Sequence, residues 1–247
     1  MSKAKNGNGH AGSGVFGSPE RVLVKRGLAE FRSNRPVVFS SQDGKFHIAL
    51  PVDGLDAARL HAFEHLCAPA IPRLIVTARR ARTLGIESDG PVALALPQVG
   101  GTEAILSLVE DANSDEAAEV DGLADKSADA AIELAKIAQR LPALLMAEVE
   151  SATSAMIEPP LITVGSDAVM KFGRADLHSL EIASEAKVPL HGGISTRFVV
   201  FRDSIGGGSV AIIVGEPDLS KPVPVRLHSA CLTGDVAGVA RAAEEVR

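Results

Sequence analysis

The sequence predicts an α/β (α+β) protein: a mixed-sheet front domain followed by the opening strands of a second, β-rich domain. Three observations carry this. Between Pro19 and Val149, apolar segments of strand length alternate with segments of helical spacing. After about Val188 that alternation gives way to short strands and Gly-rich turns. With 46% hydrophobic residues, the 247-residue chain has enough apolar surface to bury a core.

The elements follow in order. A Gly-, Asn- and Ser-rich stretch over residues 1–17 reads as a flexible tail. A helix centred on Leu28, Ala29 and Phe31 leads to a strand at Pro36–Ser40, a turn at Gln42–Lys45 and a second strand at Phe46–Leu50. Asp56–Leu66 has helical spacing, Arg73–Thr77 is a short strand, and Ala78–Leu84 is a basic helix. Val92–Leu96 reads as a buried strand, Gly101–Val109 as a helix, and the acidic run from Glu110 to Asp121 as a solvated loop. Ala128–Leu141 is an amphipathic helix running into the apolar strand Ala143–Val149. Pro159-Pro160 marks a connector, and Leu161–Ala186 is a segment of mixed pattern. Strands are then expected at Thr196–Arg202, Ser209–Gly215 and Pro222–His228. The expected organisation is a tail at 1–17, a front domain at 18–150, a connector at 151–187 and a second domain at 188–247.

Composition excludes several function classes. Aromatics make up 3% of the chain, with no Trp and no Tyr, so the stacking platforms of single-strand nucleic-acid binders are missing. A net charge of −6 supplies no overall basic field for a polyphosphate backbone. No nucleic-acid partner is therefore expected. No apolar run approaches the length needed to cross a bilayer, so no membrane partner is expected either. Two cysteines, Cys67 and Cys231, are too few for a disulfide framework, which suits a reducing cytoplasm.

Some motifs carry less than they suggest. The tail matches G-x-G-x-x-G twice, at Gly7–Gly12 and Gly12–Gly17, but no strand precedes either copy to present the glycines to a pyrophosphate. His61 and His65 stand one helical turn apart and could share a metal, yet no third ligand joins them, and Cys67 is expected to point elsewhere. Arg79, Arg80 and Arg82 form a basic cluster that reads either as an anion site or, by default, as a solvated helix face.

The densest signal is Arg226-Leu227-His228-Ser229-Ala230-Cys231-Leu232-Thr233-Gly234-Asp235. It resembles the run with which GTP cyclohydrolase II opens its active site, Arg-[Val/Ile]-His-Ser-Glu-Cys-Leu-Thr-Gly-Asp. Nine of the ten positions match if Leu227 counts as conservative. The stretch Val188–Val225, including Val188-Pro189 and Ala211–Gly215, also resembles the start of that family's domain. More weakly, Leu28–Val38 and Ala128–Glu148 resemble a degenerate 3,4-dihydroxy-2-butanone-4-phosphate synthase, a domain often fused to cyclohydrolase II.

The resemblance implies hydrolytic opening of the GTP imidazole ring, in riboflavin biosynthesis, by water on a zinc held by three thiolates. It assigns nucleotide contact to Arg226, Leu227, His228 and Ser229, and one zinc ligand to Cys231. The remaining two thiolates of the family's Cys-Asp-Cys would fall at positions 242 and 244, which are Ala242 and Glu244 here, and the family's loop Glu is Ala230. The chain stops at Arg247, before the family's catalytic Arg and Asp and its later triphosphate-binding residues. The expectation is an incomplete or decayed cyclohydrolase domain with no catalytic residues assigned, no zinc and no GTP opening.

Cys231 is then a small apolar side chain at a strand end, while Arg226, His228 and Ser229 are either ordinary polar residues or a residual anion site. In the front domain, the synthase's acidic magnesium run corresponds to Gln42–Leu50, with one carboxylate, and its His-Thr-Glu to Lys126-Ser127-Ala128. Synthase chemistry is not expected. A homodimer is the default assembly and is how the synthase works. The alternative reading is a non-enzymatic dimerising or regulatory module for a complete cyclohydrolase.

Overall fold

The computed structural model describes residues 17–111, 118–150, 158–176, 180–189, 195–203 and 208–227. These form two units, one built on residues up to Leu180 and one that begins at Glu181. The α/β (α+β) class is observed: a seven-stranded mixed sheet in the first unit and a three-stranded antiparallel sheet in the second.

The front unit opens with α1 (Pro19–Arg32), where Pro19 occupies the first turn and needs no helical N–H partner. Val24, Gly27, Leu28 and Phe31 recur at helical spacing and are the face it buries. Asn34, at φ 54, turns the chain out of the helix into β1 (Val37–Ser40). The turn to β2 (Phe46–Pro51) closes through Ser41 N–H donating to the Lys45 carbonyl at 3.0 Å, with Gly44 at φ 83.

Helix α2 (Ala57–Cys67) is capped by Asp56, whose carboxylate accepts from the Arg59 N–H at 2.8 Å. Strand β3 (Arg73–Val76) leads to α3 (Ala78–Thr83), capped in the same way by Thr77. Then follow β4 (Val92–Leu94), α4 (Gly101–Glu110), β5 (Val120–Leu123), α5 (Lys126–Ile137) and β6 (Ala143–Val149).

The sheet order is β5-β4-β3-β6-β2-β1-β7, where β7 is Thr163–Gly165. Every pairing is antiparallel except β1 with β7. Helices cover both faces. Val37, Phe39, Leu144, Met146 and Val164 point to the layer of α1, α5 and α6 (Ser166–Asp176). Val38, Ile48, Leu74, Val76, Leu94 and Leu145 point to the layer of α2, α3 and α4. This explains why Ala143–Ala147 reads as an unbroken apolar run: alternate residues serve two cores.

Several expectations change at the edges of elements. The helix expected over Ala128–Leu141 runs from Lys126 to Ile137, because Asp125 caps it early and Gln139, at φ 59, ends it. Part of the acidic run expected as a loop forms β5, the edge strand beside β4. The segment 151–187, expected as a connector, carries β7 and α6. The first completes the front sheet against β1, and the second lies against α5 and α1. No helix of the described residues is long and apolar enough to cross a membrane.

In the second unit the order is β10-β9-β8, with β8 at Glu181–Pro189, β9 at Ser195–Arg202 and β10 at Gly208–Val214. The strands expected at Thr196–Arg202 and Ser209–Gly215 are β9 and β10. The third strand is β8, drawn mostly from the segment of mixed pattern. Residues 222–227, expected as a strand, have no regular structure. Pro222 and Pro224 lack the N–H that would donate to a ladder along one edge.

Candidate functional site

The signature begins where the second sheet has ended. Beyond Val214 the chain turns at Gly215 (φ 71) and continues exposed through Val225, Arg226 and Leu227. Arg226 and Leu227 are thus solvent-facing, and Leu227 is 94% exposed. His228, Ser229, Ala230 and Cys231, with Ala242 and Glu244, lie outside the described residues.

The zinc that the resemblance implies can be tested against the donors of the chain. Cys67 and Cys231 are its two cysteines. Cys67 is packed among Phe63, Leu74 and other side chains of the core beneath α2. Burial, reinforced by the Glu64 carboxylate, pushes its thiol up to about 12. That leaves Cys231 as the one candidate thiolate, and a tetrahedral thiolate site needs several. The donor set does not fit a catalytic zinc. Among the described residues, no group of three or more His, Cys, Asp and Glu is arranged to hold a metal. His61 and His65 are exposed on α2, one turn apart, without a third ligand.

A polar cluster missed by sequence reasoning sits at one end of the front sheet. It joins the two stretches that the synthase resemblance sets against that family's chemistry. His47, on β2, is 13% exposed and places Nε2 at 3.5 Å from an Asp125 carboxylate oxygen and 4.0 Å from one of Glu148 on β6. Lys45 Nζ lies 3.3 Å from Glu148.

Asp125 is held in place by capping α5, accepting from the N–H groups of Ser127 and Ala128 at 2.9 and 3.0 Å. Ser127 is buried and receives the Ser166 hydroxyl at 3.4 Å. Partial desolvation, then the Asp125 carboxylate, raises Asp129 from its ordinary value. The Nδ1 atom of His47 is buried with no hydrogen-bond partner among the described residues.

Chemically this arrangement ties β2, β6 and the start of α5 together through one imidazole and two carboxylates. Alternation along β2 places Phe46 and Ile48 on the opposite side of the strand from His47. That signal could have marked His47 as a residue facing the α5 layer. Its two acidic partners could not be read from spacing.

The basic cluster is only in part the solvated helix face expected by default. Arg80 donates to the carbonyls of Leu108, Ser107 and Asp111 at the end of α4. Arg82 donates to the Ser88 carbonyl at 3.0 Å, while Arg79 is exposed. One member closes a helix, one holds a loop, and one is a surface charge.

Comparison with known proteins bears on both units. Residues 181–246 match the family model of GTP cyclohydrolase II, a span that starts at β8 and contains the signature. A GTP cyclohydrolase-2 of Azospirillum brasilense is 32% identical over 240 residues, covering 88% of this chain and 62% of that protein. A GTP cyclohydrolase-2 of Xylella fastidiosa is 29% identical over 225 residues, covering 90% of this chain and 56% of its own length. The riboflavin biosynthesis protein RibBA of Salinispora arenicola is 30% identical over 125 residues, or 46% of this chain and 29% of that protein.

The chain thus spans about three fifths of the length of the two GTP cyclohydrolase-2 relatives. The first two matches cover far more of the chain than 181–246, so the likeness extends into the front unit. Residues 181–246 are thus similar to GTP cyclohydrolase II, and the chain along both units is similar to two GTP cyclohydrolase-2 proteins.

Proposed function

We propose that this chain is a GTP cyclohydrolase II-type protein of riboflavin biosynthesis that does not itself open GTP. Its front unit is a non-catalytic relative of dihydroxybutanone phosphate synthase. The observation that carries the reading is the donor set. The signature keeps Arg226, His228, Ser229 and Cys231, but Ala242 and Glu244 stand where two further thiolates are needed, and Cys67 is locked in the core. Without three thiolates no zinc is held to lower the pKa of a water for attack on the imidazole ring. Arg226, Leu227, His228 and Ser229 remain in sequence as a remnant of the family's nucleotide-contacting run, with Leu227 the least suited of the four to an anion.

A second reading, a dimerising or regulatory module for a complete cyclohydrolase, draws support from the front unit. Its sheet is covered on both faces by packed helices. In place of a magnesium-binding carboxylate run, it has His47 paired with Asp125 and Glu148. A preserved core with replaced chemistry is what a scaffold retains.

The test is elemental analysis of the dialysed full chain together with formate release from GTP and magnesium. The expected result is far less than one zinc per chain and no formate above the enzyme-free control. About one tightly held zinc, or formate release abolished by Cys231→Ala, would overturn the proposal. Turnover of ribulose 5-phosphate with magnesium would overturn the non-catalytic reading of the front unit.

A further inference from the structure

Helix α2 carries a pair of imidazoles that neither the core nor the signature uses. His61 and His65 are exposed and stand one helical turn apart, so their Cβ atoms lie about 5–6 Å from each other on one face. The helix is held without them: Asp56 caps its first turn, and Phe63 and Cys67 anchor the opposite face in the core. Ala58 and Ala62 are their exposed neighbours on that face, too short to compete for the space between the two rings. The surroundings favour a cation. Arg59, the single arginine of a helix without lysine, turns its guanidinium onto the carbonyls of Asn34, Asp53 and Gly54. Glu64 is exposed next to His65 in sequence. His65 itself lies in the last turn, where unpaired carbonyls carry the partial negative charge of the helix.

We propose that His61 and His65 chelate a divalent transition-metal ion on the surface of α2, Cu²⁺ ahead of Ni²⁺ and Zn²⁺, with water in the remaining positions. Imidazole nitrogen suits all three ions, and the Irving–Williams order puts Cu²⁺ first. Two imidazoles on a preformed helix act as one chelate. Once the first nitrogen holds the ion, the second is at high effective concentration, and no backbone has to be ordered. Among the described residues no third protein ligand joins them, so the ion exchanges readily and dialysis strips it. The site uses no residue of the signature, so it stands or falls separately from the zinc test of Cys231.

The test is calorimetric titration of the full chain with Cu²⁺, Ni²⁺ or Zn²⁺ alone at neutral pH. Three variants accompany the wild type: His61→Ala, His65→Ala, and the double variant His61→Ala with Ala58→His. The last keeps the number of histidines but sets the pair two turns apart, beyond the reach of one ion. All three positions are exposed, so each variant is expected to keep the wild-type circular dichroism. The wild type should bind Cu²⁺ most tightly, and each variant should bind it at least about tenfold more weakly. A wild-type chain that binds none of the three ions overturns the proposal. So does a separated pair, or either alanine variant, that binds Cu²⁺ as the wild type does.

Discussion

Arg80 Nε donates to the carbonyl oxygen of Leu108 at 2.6 Å, so a side chain of α3 closes the C-terminal end of α4. The same guanidinium reaches the carbonyls of Ser107 at 3.0 Å and Asp111 at 2.5 Å. The last carbonyls of a helix have no partner within it and carry its partial negative charge, so a cation with a rigid fork of donors fits them well.

Arg80→Ala should therefore destabilise the front unit by about 2 kcal/mol, the scale of lost hydrogen bonds to a charged group with acceptors left unmet. Arg80→Lys should recover less than half, because an ammonium cannot span three carbonyls in fixed directions. The exposed neighbour Arg79→Ala should stay within about 0.5 kcal/mol of wild type. Urea unfolding of the three variants measures this, and equal losses at 79 and 80 would remove the capping role.

Gly27 sets how closely α1 lies on the sheet. A Cβ built there meets Val164 Cγ1 at 3.1 Å, and Val164 is fully buried on β7. Gly27→Leu should cost about 2 kcal/mol or more through overpacking, while Ala29→Leu on the exposed side should be nearly neutral. Thermal unfolding of the pair checks it. A tolerated leucine at 27 would mean that the contact of α1 with β7 is loose.

Asp129 gives the front unit a pH dependence of stated sign. Its carboxyl is raised in the folded protein, by burial first and by Asp125 second, from an ordinary value of 3.8. Between the unfolded and the raised folded value the folded state holds more protons, so this group makes stability fall as pH rises through that window. Asp129→Asn removes the effect. The melting temperature of the variant relative to wild type should therefore climb from below pH 3.8 toward neutrality. A constant difference across that range would contradict it.

Cys67 should be chemically silent in the folded protein. Its thiol is buried and pushed up to about 12, so almost no thiolate exists near neutral pH. In a Cys231→Ser background, a thiol reagent at pH 8 should label nothing until urea unfolds the front unit, and then one group per chain. Prompt labelling without denaturant would show that the core beneath α2 opens readily.

The parts of this protein legible in its sequence are those whose physical cause is local. The spacing of Val24, Gly27, Leu28 and Phe31 marks a buried helix face, and the run Ala143–Ala147 marks a central strand. The signature around Arg226 and Cys231 is likewise contiguous, and the family model at 181–246 coincides with it.

Other features depended on partners distant in the chain. β7 and α6 fall in a segment of connector and mixed pattern, and pairing with β1 and packing against α5 make them structure. Residues 222–227 alternate as a strand would, yet they have no regular structure, and Pro222 and Pro224 have no N–H to give along one edge. Arg80 read as one of three surface cations until the end of α4 came within its reach. His47 had no visible role until β6 and the cap of α5 brought two carboxylates beside it. Periodicity records which way a side chain points. What it meets is decided by the pairing order of the strands, which brings together residues a hundred positions apart through contacts that leave no local pattern.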